Sequence, residues 1–453
     1  MLTVTNPATG EKITDYPTLD DAQMHAAIAA ARQAFPTWRD TSIADRGELL
    51  RKVAAELRRG KQALARHMAE EMGKPVKEGG PEVEKAAWCA EYYAEHADAY
   101  LARETLPSDA SSSYVSYEPL GAVLGILPWN APAWLAFRFL APALMAGNTC
   151  VMKHDPHVPT SAAAIADAFV RAGAPDNIVV NLPVATPQVA AAISSPDIAA
   201  VSFTGSGTAG RKIASAAGAG LKPCVLELGG SDPCIVMADA DLERAADVVT
   251  LSRIINAGQS CIAAKRIIVE QAVYEPFLAM LKQRLEVLRV GDPLLDDTDM
   301  GPVARDDLRE NLHRQVMATR EAGARCLLGG ELPRGPGYFY PPTLLADVTE
   351  TMCAFTEETF GPVMCVTPAA DLDEAIRLAN HTAFGLGAGL WMADVALAEQ
   401  VAQHIEAGQV AINGIVKTDP RLPSGGIKGS GFGRELGPHG IREFVNAKQV
   451  WVG

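Results

Sequence analysis

The sequence predicts an α/β protein made of a doubly wound parallel sheet, a second α/β domain and a small β arm. Three observations carry the prediction. From Gly121 onward, short apolar runs near 122–127, 149–153, 178–182, 199–204 and 223–228 alternate with Ala-rich helical stretches, the pattern of a parallel sheet with helices on its faces. After Gly229-Gly230 the alternation resumes with different spacing, with apolar runs near 266–270, 363–367, 386–391 and 409–413 and helices such as Tyr274 to Leu288 between them. Ahead of both, Ser113-Tyr114-Val115-Ser116-Tyr117-Glu118-Pro119 alternates with period two, the mark of an exposed strand whose edge can pair with another subunit.

The remaining elements follow in order. Asn6-Pro7-Ala8-Thr9-Gly10 reads as a turn, and a helix from about Asp20 aligns Met24, Ala27, Ile28, Ala31 and Phe35 on one face. Helices follow near 45–72, with Leu50, Val53 and Leu57 aligned, and near 81–101, with Val83, Ala87 and Ala90 aligned. Residues 120–152 are nearly all apolar, yet Pro128, Asn130, Pro132, Arg138, Pro142 and Asn148 interrupt them, which lipid tolerates poorly, so no membrane partner is expected. The glycine-rich stretch Pro423 to Glu435 reads as loop.

A chain of 453 residues exceeds what one core usually serves. A net charge of -14 argues against nucleic acid as the main partner, because phosphate binding needs a basic face. Eight scattered cysteines, with no C-x-x-C, imply reduced thiols and a cytoplasmic location. The start, Met1-Leu2-Thr3-Val4-Thr5-Asn6-Pro7, has no basic or apolar leader, so no signal peptide is expected. His154 and His157 flank Asp155 without a third ligand at metal spacing, so no metal is expected. Absence of a G-x-S-x-G elbow removes the commonest serine-hydrolase reading.

The chemistry concentrates in a few stretches. In Asn256-Ala257-Gly258-Gln259-Ser260-Cys261 a cysteine follows a turn-capable approach; it is either a nucleophile presented to a cleft or a small buried hydrophobe. Phe203-Thr204-Gly205-Ser206-Gly207-Thr208-Ala209-Gly210 follows a strand and opens a helix as G-x-G-x-x-G. It reads as a pyrophosphate site or a plain tight turn. Glu227, ending an apolar strand before two glycines, is a general base with a raised pKa, a carboxylate paired with a cation, or, on spacing alone, the acid of a dinucleotide fingerprint. Asn130, held between Pro128 and Pro132, is a rigid oxyanion donor or a turn residue. Lys153 at another strand end holds ribose or phosphate, or is merely solvated.

Taken together, Pro128-Trp129-Asn130, Phe203-Thr204-Gly205-Ser206, Glu227-Leu228-Gly229-Gly230, Gly258-Gln259-Ser260-Cys261, Glu357-Glu358-Thr359-Phe360-Gly361-Pro362 and Gly425-Gly426-Ile427-Lys428-Gly429-Ser430-Gly431 resemble the aldehyde dehydrogenase superfamily, in order and over nearly the whole chain. The resemblance implies that Cys261 attacks the aldehyde and that Asn130 and the Cys261 N–H hold the oxyanion. It makes Glu227 the base that activates water against the thioester. It places Glu358 and Phe360 at the nicotinamide ribose, Lys153 at the adenosine ribose and Gly205 with Ser206 at the pyrophosphate, with Ile126, Trp129 and Leu228 as further cofactor contacts. The implied domains are a dinucleotide-binding domain at 1–109 and 122–229, a catalytic domain at 230–429 and an oligomerisation arm at 110–121 and 430–453, giving a homodimer or homotetramer.

Within the family, Glu227 to Pro233 and Lys153-His154-x-Pro156 resemble bacterial NAD(P)-dependent succinate-semialdehyde dehydrogenases. By the same resemblance Arg138 grips a substrate carboxylate, or is a packing arginine, and Ser424 lines the substrate pocket. The small-molecule partner implied is an aldehyde, most simply a carboxylated one. Ala131 and Ser424 stand where relatives often have Phe, giving a wider and more polar pocket. Pro156 stands where many relatives use Glu for the 2'-hydroxyl of NAD, so either NAD or NADP fits, with NAD slightly favoured. A broad-specificity or coenzyme A-acylating aldehyde dehydrogenase is the rival reading, and an inactive binding or structural protein on the same scaffold a remote one.

Overall fold

The computed structural model describes residues 1–453. A hairpin of β1 (Leu2–Thr5) and β2 (Lys12–Tyr16) precedes four helices, α1 (Asp21–Asp40), α2 (Ile43–Arg59), α3 (Lys61–Met72) and α4 (Val76–Tyr100). Asp20 and Gln23 form a reciprocal cap at the start of α1, satisfying N–H groups that would otherwise lack partners. The run expected as one helix near 45–72 divides at Gly60, the residue with the weakest hold on helical geometry short of proline.

Next come β3 (Glu104–Thr105), β4 (Ser112–Pro119), β5 (Ala122–Leu127), α5 (Pro132–Met145), β6 (Thr149–His154), α6 (Pro159–Arg171), β7 (Val179–Asn181), α7 (Val189–Ser194), β8 (Ile198–Thr204), α8 (Gly207–Ala219) and β9 (Cys224–Glu227). The second half holds β10 (Asp232–Val236), α9 (Leu242–Ile254), β11 (Ala264–Glu270), α10 (Tyr274–Glu286), α11 (Asp306–Glu321), β12 (Arg325–Leu328), β13 (Thr343–Ala346), α12 (Cys353–Thr356), β14 (Val363–Ala369), α13 (Leu372–Asn380), β15 (Gly387–Trp391), α14 (Val395–Ala402) and β16 (Gln409–Ile412). The chain closes with β17 (Gly431–Phe432), α15 (Gly437–Arg442) and β18 (Val445–Val452).

Six strands form one sheet in the order β17-β9-β8-β5-β6-β7. All its pairings are parallel except β17 on β9. The chain runs outward from β5 through β6 and β7, then returns to β8 on the other side of β5, so the strand order reverses between β5 and β8. At such a reversal the segments leaving the two strands diverge and open a crevice at their carboxyl ends. β5 and β6 are buried along their whole length, which is why they read as unbroken apolar runs. Gly125 lies so close under the Phe139 ring that a Cβ would overlap it, fixing how tightly α5 packs on β5.

Seven strands form the second sheet, β12-β13-β14-β11-β10-β15-β16. The arm is an antiparallel sheet β18-β4-β3, with Val445 to Val452 paired along β4, which begins one residue before the strand expected from Ser113 to Pro119. Two pairings differ from the sequence expectation. β3 lies ahead of residue 110 yet joins the arm sheet, and β17 lies beyond residue 430 yet straps the edge of the first sheet. No helix is long and apolar enough to cross a membrane.

Candidate active site

Between α9 and β11 the chain makes an irregular turn. Asn256 and Ala257 take left-handed conformations at φ 54° and 53°, followed by Gly258 at φ 73°. Such strain persists only where surrounding contacts hold it. Here the Asn256 N–H donates to Glu78 at 2.8 Å, and its amide donates to the Asn130 carbonyl at 2.8 Å and the Gln259 carbonyl at 3.2 Å. Gln259 in turn donates to the Asn256 carbonyl at 3.0 Å and accepts from the Ala304 N–H at 2.8 Å. The braced turn delivers Cys261, a partly exposed residue. Burial around its sulfur pushes the thiol up to about 11, against the opposing pull of Lys265 and then Arg138.

Asn130 comes off the end of β5. Its side-chain Nδ2 donates to the Gln259 carbonyl at 3.1 Å, so one amide proton is anchored two residues from Cys261 and the second is left for another acceptor. The Asn130 carbonyl accepts from the Lys74 ammonium at 2.8 Å. Lys74 is paired with Glu82 in the protein interior, and Glu82 accepts from the N–H groups of Ala133 and Trp134 at 2.9 and 3.1 Å. A carboxylate at the start of a helix suits the free N–H groups and the dipole there, so α4 locks the segment from Asn130 into α5.

Glu227, the last residue of β9, is 3% exposed. Arg138 Nη2 lies 3.3 Å from one of its oxygens and 2.5 Å from a Glu435 oxygen. The other oxygen, Oε1, has no hydrogen-bond partner. Burial pushes the Glu227 acid up to about 8, Arg138 opposing and Glu435 adding to the rise. Arg138 was expected to face a substrate carboxylate. One nitrogen of its fork, Nη2, instead lies against both of the protein's own acids, as a buried guanidinium needs nearby carboxylates. Ser424 is buried and exchanges backbone hydrogen bonds with Glu435 at 2.7 and 2.8 Å, which ties it to this cluster. One helical turn before Arg138, Trp134 donates to the Thr418 hydroxyl at 3.0 Å. Lys85 donates to the same hydroxyl at 3.1 Å and sits 4.2 Å over the Trp134 ring. Burial, then Arg138, lowers Lys85 to about 8.

Most of the remaining candidates stand at or just beyond the carboxyl ends of β5, β6, β8 and β9. Ser206 caps α8, accepting from the Ala209 N–H at 3.3 Å, and the Gly205 N–H donates to the Glu227 carbonyl at 3.0 Å. A Cβ on Gly205 would sit 2.5 Å from the Phe203 ring, and one on Gly210 2.5 Å from Leu228. Trp129 stands edge-on to Phe360 at 5.8 Å, while Ile126 is buried at the end of β5. Lys153, 5% exposed at the end of β6, is lowered by burial with Asp155 opposing. Asp155 itself turns toward His157 Nδ1 at 2.7 Å. Glu358 accepts from the Gly230 N–H at 3.1 Å and lies 3.3 Å from Lys265. An open helix N-terminus lined by small residues, a buried lysine turned to no carboxylate and a half-buried acid fit the pyrophosphate and ribose hydroxyls of a dinucleotide. His154 Nε2 donates to the Pro132 carbonyl at 3.1 Å, and no three metal-binding side chains come together.

Lys265, Glu435, Lys85, Lys74 and Glu82 were not singled out from sequence. For Lys265 a signal existed: Lys265-Arg266 are two adjacent charges leading into the apolar run Ile267-Ile268-Val269, and charges buried in a sheet need partners.

Comparison with known proteins agrees with this arrangement. The aldehyde dehydrogenase family profile matches residues 1–450. The chain is 45% identical over 447 residues to a probable succinate-semialdehyde dehydrogenase [NADP(+)] of Synechocystis, covering 99% of this chain and 98% of that one. It is also 45% identical over 458 residues to succinate-semialdehyde dehydrogenase [NADP(+)] 1 of Mycobacterium ulcerans, covering all of both. The crystal structure of succinic semialdehyde dehydrogenase from Streptococcus pyogenes with NADP+ superposes with a TM-score of 0.97 at 33% identity over the full length of both chains. The chain therefore belongs to the aldehyde dehydrogenase family and is an NAD(P)-dependent oxidoreductase that converts an aldehyde to a carboxylate.

Proposed function

We propose that the protein oxidises succinate semialdehyde to succinate with NADP+, using Cys261 as nucleophile, Asn130 as oxyanion donor and Glu227 as general base. The observation that carries this reading is the convergence of the Cys261 turn, the Asn130 amide and the Glu227–Arg138 cluster, together with relatives that carry both this substrate and NADP+ in their names.

The Cys261 thiolate forms a C–S bond to the aldehyde carbon, and the carbonyl oxygen takes the negative charge. The free Asn130 amide proton and the Cys261 N–H stabilise that oxygen, a contribution on the order of 10² to 10³ in rate per donor. NADP+, when bound, supplies the acceptor for the hydride that leaves this carbon as the thioester forms. Glu227 then takes a proton from water through its unpartnered oxygen, the resulting hydroxide adds to the thioester, and the thiolate leaves. Glu227 acts only when deprotonated, so turnover rises with pH through about 8.

The sequence bounds of 1–109 and 122–229 for cofactor binding, 230–429 for catalysis and 110–121 with 430–453 for an oligomerisation arm are kept as the assignment, except that β3 goes with the arm and β17 with the cofactor-binding sheet. Lys153, Gly205, Ser206, Glu358 and Phe360 hold the dinucleotide, with Ile126, Trp129 and Leu228 packing around it. Lacking an acid at Pro156, the adenosine end suits a 2'-phosphate, which supports NADP+ over the slight preference for NAD expected from sequence. A carboxylated substrate is supported by Lys85, which is spent on a hydroxyl and a ring rather than on a carboxylate. The long exposed edge of β18, with Trp451 half exposed, suits pairing between copies, and eight free cysteines suit a reducing cytoplasm.

The test is a panel of semialdehydes with both cofactors for the wild type and Cys261→Ala. The variant should bind NADP+, read by dinucleotide fluorescence, and turn over nothing. Retained turnover ends the nucleophile assignment, and a preference for uncharged aldehydes ends the substrate assignment.

A further inference from the structure

Lys265 is fully buried near the start of β11. Its ammonium donates to the Ser260 carbonyl at 2.9 Å and the Cys261 carbonyl at 2.7 Å, and lies 3.3 Å from Glu358. The next residue, Arg266, spends its donors elsewhere, on the carbonyls of Ser231, Leu378 and Ala379. A fully buried ammonium is costly to keep unless it is paired and hydrogen-bonded. The surrounding β11 residues Ile267, Ile268 and Val269 are completely buried aliphatics, so packing alone would be served by another of them.

We propose that Lys265 is a positioning residue for the reaction: it clamps the two carbonyls that frame Cys261 to the Glu358 carboxylate and fixes a positive charge beside the thiolate. This rests on the reading of Cys261 as the nucleophile. Four charged groups face the sulfur, Lys265 and Arg138 favouring the thiolate, Glu227 and Glu358 opposing it together with burial. Arg138 is already shared between two acids. Lys265, by contrast, holds the nucleophile's own backbone, and is itself faced by Glu358 and by the buried Asp232. Removing its charge destabilises the thiolate, so the thiol ionises at higher pH.

The test is alkylation of Cys261 by iodoacetamide in the free protein, located by mass spectrometry and followed from about pH 6 to about pH 10. Lys265→Gln keeps a donor and loses the charge, while Lys265→Arg keeps the charge. The Gln protein, shown folded by circular dichroism, should alkylate roughly tenfold more slowly near neutral pH, one pKa unit of thiolate, with its profile displaced upward. The Arg protein should keep the wild-type profile. A folded Gln protein with wild-type rates throughout overturns the proposal. If the Gln chain does not fold, the Arg chain decides alone, and a displaced profile there overturns the proposal equally. Alkylation needs no turnover, so this failure is distinguishable from failure of the nucleophile assignment, which Cys261→Ala turnover would reveal.

Discussion

Replacing Arg138 by Met separates two roles that the sequence leaves together. Arg138 lies 3.3 Å from Glu227 and 2.5 Å from Glu435, and all three side chains are about 5% exposed or less. At 3.3 Å and an effective dielectric of about 20, one such contact amounts to about 5 kcal/mol before desolvation is counted. Deleting the cation from a buried pair typically costs about 3–5 kcal/mol, because a carboxylate is left uncompensated. The protein avoids part of that cost by keeping a proton on Glu227. The Glu227 acid, already pushed up to about 8, therefore rises further. Each further unit leaves about tenfold less base at a given pH below it. Steady-state oxidation of succinate semialdehyde and butanal, followed by NADPH absorbance across pH, should show both substrates losing roughly tenfold to a hundredfold at neutral pH. The ascending limb should move alkaline by about a unit or more. A limb left at its wild-type pH, with the loss confined to the KM of succinate semialdehyde, would refute this and return Arg138 to the substrate carboxylate.

Three further outcomes are expected. Asn130→Ala should lower kcat by about 10² to 10³ with little change in dinucleotide affinity; a change of less than about threefold would remove it as an oxyanion donor. Lys85→Met should weaken kcat/KM for succinate semialdehyde by roughly tenfold, about 1.4 kcal/mol, and leave butanal unaffected, as compared in parallel progress curves. Glu82→Ala leaves the Lys74 ammonium without its paired carboxylate and the Ala133 and Trp134 N–H groups without their acceptor. It should lower the stability read from urea unfolding by about 3–5 kcal/mol.

The parallel strands were legible because burial on both faces turns them into apolar runs bounded by glycine and proline, as in β5, β6 and β8. β10 was not, although it is wholly buried, because Ser231-Asp232-Pro233 after two glycines carries every sign of a turn. β12 and β13 were hidden likewise by the glycines and prolines between them. At the site, single-residue chemistry named Cys261, Glu227 and Asn130 but left each open. Only the ordered motifs grouped them, since the contacts joining them span large separations: Asn130 reaches Gln259, and Arg138 reaches Glu227 and Glu435. The supporting charges were invisible for a different reason. Glu82 and Lys85 sit on α4 among many exposed charges, with Lys74 in the link just ahead of it, and periodicity assigns a charged helix face to solvent until α5 is known to cover it.

How the chain passes from one sheet to the other explains why the base and the nucleophile lie near each other at all. β9 ends at Glu227 and β10 begins at Asp232, so only Leu228, Gly229, Gly230 and Ser231 cross between the sheets. Neither glycine has room for a side chain: a Cβ on Gly229 would overlap the Glu358 carboxylate, and one on Gly230 would lie 2.9 Å from the Cys261 carbonyl. The crossing is thus pressed between the acid assigned to the cofactor and the backbone of the nucleophile. Gly431 pairs with Glu227 from the far side, and the Ser430 hydroxyl donates to the Gly229 carbonyl at 2.7 Å, which closes off lateral movement. A larger residue at either glycine therefore has to separate Glu358 or Cys261 from Glu227. Gly230→Ala in particular should impair catalysis more than folding, with kcat falling while the thermal midpoint changes by only a few degrees, about 1 kcal/mol or less. If kcat survived the substitution, the crossing would be a mere linker and the proximity of the two groups would need another cause.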